Sequence, residues 1–286
     1  MMDNKSFTLI ELLLVISIIG LLTLVIVSGL RSTTDRARIA RTLQYQASLH
    51  RSIGNHLVGW WNFNEGTPGT CQGGADVCDI SGYNNHGIMY GSTPKAERWV
   101  EGIPGTEGNT LYFNGSDDYI NLGATNNIVK EDSSWTISAW FNANLIESGG
   151  SANRIVTLMR TTGNSTAASI LVGLNSRARL LYSRADGSQT YLDALTDAST
   201  NKWYYFVAVY NGTVYKSYID GEFKNDATDT FYGFSSGTAR IGTYSATTYN
   251  FNGFIDDVRI YNTALTSKEI ERIYTETKNK YLAEDN

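Results

Sequence analysis

The chain has 286 residues, a formal net charge of −5, two cysteines and three histidines. An acidic balance points away from nucleic acid as a partner, and two cysteines without others nearby exclude an ordinary cysteine-rich zinc site. The 18 Tyr, 10 Phe and 6 Trp supply enough aromatic area for a sizeable core.

Residues 7–30, FTLIELLLVISIIGLLTLVIVSGL, hold seventeen Leu, Ile, Val and Phe residues and one charge, Glu11. At about −0.3 to −0.6 kcal/mol each, the apolar residues outweigh the roughly +3 kcal/mol of one mid-membrane charge. About 20 such residues span a bilayer. The run is too long for the core of a secretory signal peptide, and RSTTDRARIAR follows it in place of a small-residue cleavage site. An ordinary signal anchor stays open. A carboxylate near the start of such a helix is costly, which marks Glu11 as retained for a partner.

From 31 to 57, Ile39, Leu43, Ala47, Ile53 and Leu57 recur at roughly helical spacing, predicting an amphipathic continuation of the same helix. Arg31, Arg36, Arg38, Arg41 and Arg51 fall mainly on other faces, read either as a solvated face or as a surface for anionic lipid. Gly54 and Gly59 mark the end of this helix.

Residues 58–275 alternate short Tyr, Trp, Ile and Val runs with Gly, Asn, Asp and Ser clusters, the pattern of an all-β sandwich. The predicted strands are 57–63, 110–113, 119–122, 135–143, 154–160, 168–174, 179–183, 203–210, 214–219, 239–242 and 254–261. Alternation is clearest in Trp135-Thr-Ile-Ser-Ala-Trp-Phe141. Asn211-Gly212 and Asp220-Gly221 predict two-residue hairpin turns. Thr266 with Glu269 predicts a capping box that opens a terminal helix, and 276–286 reads as a tail. Cys71 and Cys78, in an exported domain, are expected to close a small disulfide loop worth about 2–3 kcal/mol.

The stretch Lys5-Ser6-Phe7-Thr8-Leu9-Ile10-Glu11-Leu12-Leu13 resembles the processing and assembly signature of type IV pilins and pseudopilins. The resemblance implies that a prepilin peptidase removes residues 1–6 and that Phe7 becomes an N-methylated first residue. Ser6 stands where the family usually has Gly, and the helix lacks the proline of many pilins. Glu11 would face the new amino group of Phe7 on a neighbouring pilin subunit, an arrangement that compensates a charge among packed apolar helices. The precursor would sit in the cytoplasmic or inner membrane as a single-pass protein, and the mature chain in a filament or periplasm.

Residues 58–275 in turn resemble the laminin-G-like jellyroll family of the concanavalin A-like lectin/glucanase superfamily. The resemblance rests on Trp60-Trp61-Asn62-Phe63-Asn64-Glu65, Asp79-Ile80-Ser81-Gly82-Tyr83-Asn84-Asn85-His86-Gly87, Phe113-Asn114-Gly115-Ser116-Asp117-Asp118-Tyr119-Ile120, Ser138-Ala139-Trp140-Phe141, the strand 203–210, Tyr218-Ile219-Asp220-Gly221 and the run from Phe254 to Leu265. It implies a structural Ca²⁺ linking the first and last strands through Glu65, Asp79 and Asp256, residues that otherwise read as turn and loop acceptors. The glucanases of the superfamily carry a Glu-x-Asp-x-x-Glu strand so that two carboxylates flank the glycosidic bond. This chain has no such run, and His50, His56 and His86 have no nucleophile beside them, so an enzyme is not expected. Tyr182, Tyr191, Tyr244 and Tyr249 are candidate platforms for sugar rings, although most aromatics in such a domain serve the core or strand pairing.

The expected protein is therefore a filament subunit displaying the sandwich for adhesion to a glycan or other cell-surface ligand. A pseudopilin of a secretion or DNA-uptake apparatus and a membrane-anchored lectin that does not polymerise are the alternatives.

Overall fold

In a computed structural model of the chain, the described residues are 13, 14, 16–18, 53–101, 108–129, 134–146, 152–159, 166–173, 176–184, 186–231, 233–234, 237–245 and 248–282. The chain divides into two units, residues 1–55 and 56–286. In the first, Leu13, Leu14, Ile16, Ser17 and Ile18 are helical and exposed. The Ser17 hydroxyl donates to the Leu13 carbonyl one turn back. Among the described residues no helix is long and apolar enough to cross a membrane. The expected membrane segment 7–30 and its continuation 31–57 lie mostly outside the described residues, and Ser6, Phe7 and Glu11 wholly so.

The second unit is built from β1 (Leu57–Trp61), β2 (Ile88–Tyr90), β3 (Trp99–Glu101), β4 (Asn109–Asn114), β5 (Tyr119–Ala124), α1 (Thr125–Ile128), β6 (Trp135–Ala143), β7 (Ala152–Met159), β8 (Thr166–Gly173), β9 (Arg177–Ser183), β10 (Gln189–Leu195), β11 (Trp203–Tyr210), β12 (Val214–Ile219), β13 (Glu222–Thr228), β14 (Thr238–Ile241), β15 (Asn252–Tyr261) and α2 (Ser267–Thr277). Two antiparallel sheets result. One has the order β13-β12-β11-β6-β15-β4-β3, with β1 also pairing β15; the other runs β10-β9-β8-β7-β14-β5-β2.

Period-two alternation decides which side chains the sheets bury between them. On the eight-stranded sheet, Ile137, Ala139, Phe141 and Ala143 of β6 and Tyr204, Phe206, Ala208 and Tyr210 of β11 join the core. On the seven-stranded sheet, Leu192, Leu180, Ile170, Val156, Ile241, Ile120 and Met89 lie in register across successive strands. All seven are core residues. Burying this one row is worth roughly 10–20 kcal/mol before conformational entropy is set against it.

The turns follow their chemistry. Asp220 and Gly221 both take positive φ, 53° and 80°, as a type I′ hairpin requires. The Asn211 side chain accepts from the Thr213 and Val214 amides, an Asx turn. Thr266 and Glu269 form the expected capping box, and Cys71 is bonded to Cys78 with S–S 2.08 Å.

The outward face of the eight-stranded sheet is covered by the C-terminal segment. Trp140 on β6 stacks on Tyr281 at 4.2 Å and on Tyr274 at 5.7 Å, and its Nε1 donates to Thr277 Oγ1 at 3.0 Å. Asp256, fully buried on β15, accepts from Lys280 Nζ at 2.6 Å and the Tyr281 hydroxyl at 2.8 Å. Residues up to Leu282 thus continue the sandwich, and the expected boundary at 275 falls inside α2. Residues 276–282 are a structural cover rather than a tail, because Tyr281 is only 3 % exposed.

Candidate functional site

No helix among the described residues covers the seven-stranded sheet in this way, and its outward face carries a different chemistry. The residues between the inward ones form two rows. In the first, Tyr191, Leu181, Ser169, Thr157, Arg240, Asn121 and Ile88 stand opposite one another in register. In the second, Asp193, Arg179, Leu171 and Arg154 do the same. Leu171 and Leu181 make a small buried apolar cluster separate from the main core, and Thr157 and Ser169, both fully buried, bond to each other at 3.0 Å.

Around this floor the charged groups are mostly arginines. Asp193 pairs with Arg177 Nη1 at 2.5 Å and Arg179 Nε at 2.6 Å. Arg240 Nη1 donates to the Tyr244 carbonyl at 2.9 Å and contacts the Met159 sulfur at 2.8 Å. Arg154 is 6 % exposed, and burial pushes its guanidinium below the usual arginine value. Its guanidinium carbon lies 5.7 Å from the Tyr244 ring and 5.5 Å from the Tyr249 ring, within cation–π range. Those two rings meet edge to face at 5.7 Å. Arg179 lies over the Tyr191 ring at 5.3 Å.

Tyr249 is held in the left-handed region, φ 61°, a costly conformation for a bulky residue. Its carbonyl accepts from the Arg154 amide at 3.0 Å, so both backbone and ring are fixed to Arg154. The result is an aromatic rim, with Tyr191 46 % and Tyr249 38 % exposed, beside a buried cation.

Three of the four tyrosines singled out from the sequence therefore converge, and one does not. Tyr182 is not a surface platform. It follows Leu180 on the inward side of β9, is 2 % exposed and stacks on Tyr215 at 3.7 Å in the core. Arg154, Arg179 and Arg240 were missed because an arginine in a strand reads as ordinary solvent-facing charge. The usable signal was the spacing Arg177-Ala-Arg179-Leu-Leu181, which places two arginines on the side opposite Ala178 and Leu180.

Among the described residues, the expected calcium ligands Glu65, Asp79 and Asp256 are not gathered into one cluster. Asp79 Oδ1 accepts from the Trp60 and Ser81 amides and Oδ2 from the Asn85 amide. Asp256 is already neutralised by Lys280, and Glu65 Oε1 accepts from the Cys78 amide at 2.8 Å. Among the described residues, the one cluster of metal-ligating types is Glu65 with Cys71 and Cys78, whose sulfurs are committed to the disulfide. Asp79 and Asp256 thus accept from backbone and side-chain donors, whereas Glu65 Oε2 is buried without a hydrogen-bond partner among the described residues.

Two antiparallel sheets packed face to face, one backed by the C-terminal segment and the other carrying aromatic and cationic side chains around a buried outward floor, make a β-sandwich. The family described as the concanavalin A-like lectin/glucanases superfamily matches residues 114–271, more than half of the chain, and the chain belongs to it. A prokaryotic N-terminal methylation motif matches residues 1–27, the mark of a pilin-like protein processed at the membrane and exported.

Among solved structures, the binding domain of Paraclostridial Mosquitocidal Protein 1 is similar at TM-score 0.60 and 16 % identity, over 79 % of this chain and 53 % of that one. The ligand-binding domain of botulinum neurotoxin serotype D, solved with N-acetylneuraminic acid, is similar at TM-score 0.58 and 15 % identity, over 79 % and 52 %. The chain thus spans about half the length of these toxin domains. Domain 4 of an extracellular family 43 arabinanase from Geobacillus stearothermophilus, solved with arabinotriose, is similar at TM-score 0.56 and 19 % identity, over 77 % and 98 %. At these identities the likeness concerns the fold alone.

Proposed function

We propose that the chain is a pilin-like filament subunit that displays a glycan-binding sandwich for attachment to surfaces. The observation that carries the reading is the union, in one chain, of the methylation motif at 1–27 and the lectin-type fold matched over 114–271. Processing by a prepilin peptidase would expose Phe7, and Glu11 would then set the register of packed subunits through its ion pair. The glycan-facing surface is the outward face of the seven-stranded sheet, where Tyr191, Tyr244 and Tyr249 offer ring faces beside arginine donors.

The role is binding rather than hydrolysis. Glycoside hydrolysis ordinarily needs two carboxylates astride the bond, whereas the one acid in the two described rows, Asp193, is engaged by two arginines. Mass spectrometry of sheared filaments tests the polymer reading: the expected subunit begins at N-methylated Phe7. Glu11→Val should leave membrane insertion intact and sharply reduce filament yield. A purified chain that still begins at Met1 and stays in the membrane fraction would refute it and favour a tethered lectin.

A further inference from the structure

Buried arginines in this fold are normally given acceptors. Arg98, fully buried, donates from Nε to the Tyr112 carbonyl and from Nη1 to the Tyr90 carbonyl, with Asp118 3.9 Å away, and only its Nη2 lacks a partner among the described residues. Arg154 differs. Its Nε and Nη1 are buried and have no hydrogen-bond partner among the described residues, although leaving such donors unpaired carries a substantial penalty. Arg240 Nε is in the same condition. Three arginines (154, 179 and 240) stand in the two described rows with one carboxylate, Asp193, and Arg177 follows on the same side of β9. That concentration of positive charge stands out in a chain whose net charge is −5.

We propose that Arg154 is the anchor of a subsite for an acidic saccharide, a pyranose bearing a carboxylate. The inference rests on the glycan-binding reading given above and narrows it to one class of sugar. A carboxylate supplies the acceptor atoms that Arg154 lacks, in the planar geometry a guanidinium matches best. The Tyr244 and Tyr249 rings that flank the guanidinium hold it in place and exclude water, which strengthens the ion pair. The exposed face of Tyr249 or Tyr191 takes the apolar face of the sugar ring, and Arg240 and Arg179 balance further acidic groups along an oligosaccharide. Neutral sugars offer hydroxyl acceptors only, so they leave the buried charge uncompensated and bind more weakly.

The proposal is tested on the full chain in detergent micelles by titration calorimetry. The probes are trigalacturonic acid and its methyl ester, which differ at the carboxyl groups, ionised in one and capped by methyl in the other, and 3′-sialyllactose against lactose, which lacks the acidic residue; the two pairs separate uronic from nonulosonic acids. At least one acid is expected to bind about tenfold or more tighter than its neutral counterpart, with affinity falling as salt rises. Arg154→Gln should bring the acid-to-neutral ratio close to one, and Arg154→Lys should restore part of it. Tyr249→Ser, on the exposed rim, should weaken the acid without unfolding the domain, which keeps the test valid if Arg154→Gln fails to fold. Lys224→Gln, on the other sheet, is the control and should change nothing. Equal binding of acidic and neutral probes, or a preference unchanged in both Arg154→Lys and Tyr249→Ser, overturns the acidic subsite while leaving glycan binding in place. Absence of binding to all four saccharides overturns both.

Discussion

Replacing Tyr281 with Phe removes one hydroxyl and little else. The ring keeps its stacking on Trp140 at 4.2 Å and its contact with Trp203 at 4.9 Å. What is lost is the 2.8 Å hydrogen bond to Asp256 Oδ2, made between groups 3 % and 0 % exposed. Hydrogen bonds to buried charged groups contribute about 1.5–3 kcal/mol. For a domain of this size about 1 kcal/mol moves Tm by roughly 2–4 °C, so Tyr281→Phe should lower Tm by about 3–12 °C. The penalty should depend on pH. Burial lifts Asp256 to about 7, against the opposing pull of Lys280 and Tyr281. Its folded value lies above its ordinary one, so the stability linked to its protonation is present in acid and lost as pH rises through about 7. The Tyr281 hydroxyl favours the ionised form, and its removal should therefore cost more at pH 8 than at pH 5. Thermal unfolding of the full chain in detergent, followed by circular dichroism at both values, reads the effect. A Tm within about 1 °C of wild type at pH 8, or an equal loss at both pH values, would refute the account of the C-terminal cover.

Replacing Cys71 and Cys78 together by Ser should lower the urea-unfolding free energy by about 2–3 kcal/mol, given the short loop they close; the unreduced wild type should show no titratable thiol when unfolded. Gly242→Ala should destabilise by about 2–4 kcal/mol in the same assay. The residue has φ 87°, and an added Cβ would lie 2.4 Å from the Phe113 ring. A strong chelator should leave the Tm of the sandwich unchanged, since Asp79 and Asp256 are satisfied by protein donors; a drop of several degrees would return these acids to a metal.

Particular residues show why some elements are legible in the sequence and others are not. The strands 135–143, 203–210 and 214–219 are bounded as predicted because strong β formers alternate with small or polar residues and end at turns of defined chemistry. The strand β13, EFKNDAT, was missed because it is an almost fully exposed edge, with no apolar alternation to read and a composition that blunts aggregation. The strands β2 and β3 are three residues each, too short for a period to register. Tyr191, Tyr244 and Tyr249 were identified from residue type and expected exposure, but the arginine between two of them depends on a pairing of β7 with β8 that carries a register shift at Arg154. The sequence alone does not reveal such a bulge. Nor does it reveal that Lys280 and Tyr281 return to a strand acid 24 and 25 residues earlier.

The pairing of β1 with β15 has a mechanical consequence. The strand β1 is where the chain enters the sandwich, and its partner β15 also pairs with β4 and β6. Trp61 is wholly buried, and Trp60 is pinned by Asp257 at 2.6 Å and by Arg259 over its ring at 4.5 Å. A pull arriving along the chain from the N-terminal side is therefore borne first by a strand anchored at both tryptophans and spread into the middle of the eight-stranded sheet. The arginine- and tyrosine-lined face belongs to the opposite sheet, so a force applied at β1 reaches it only through the packed interior.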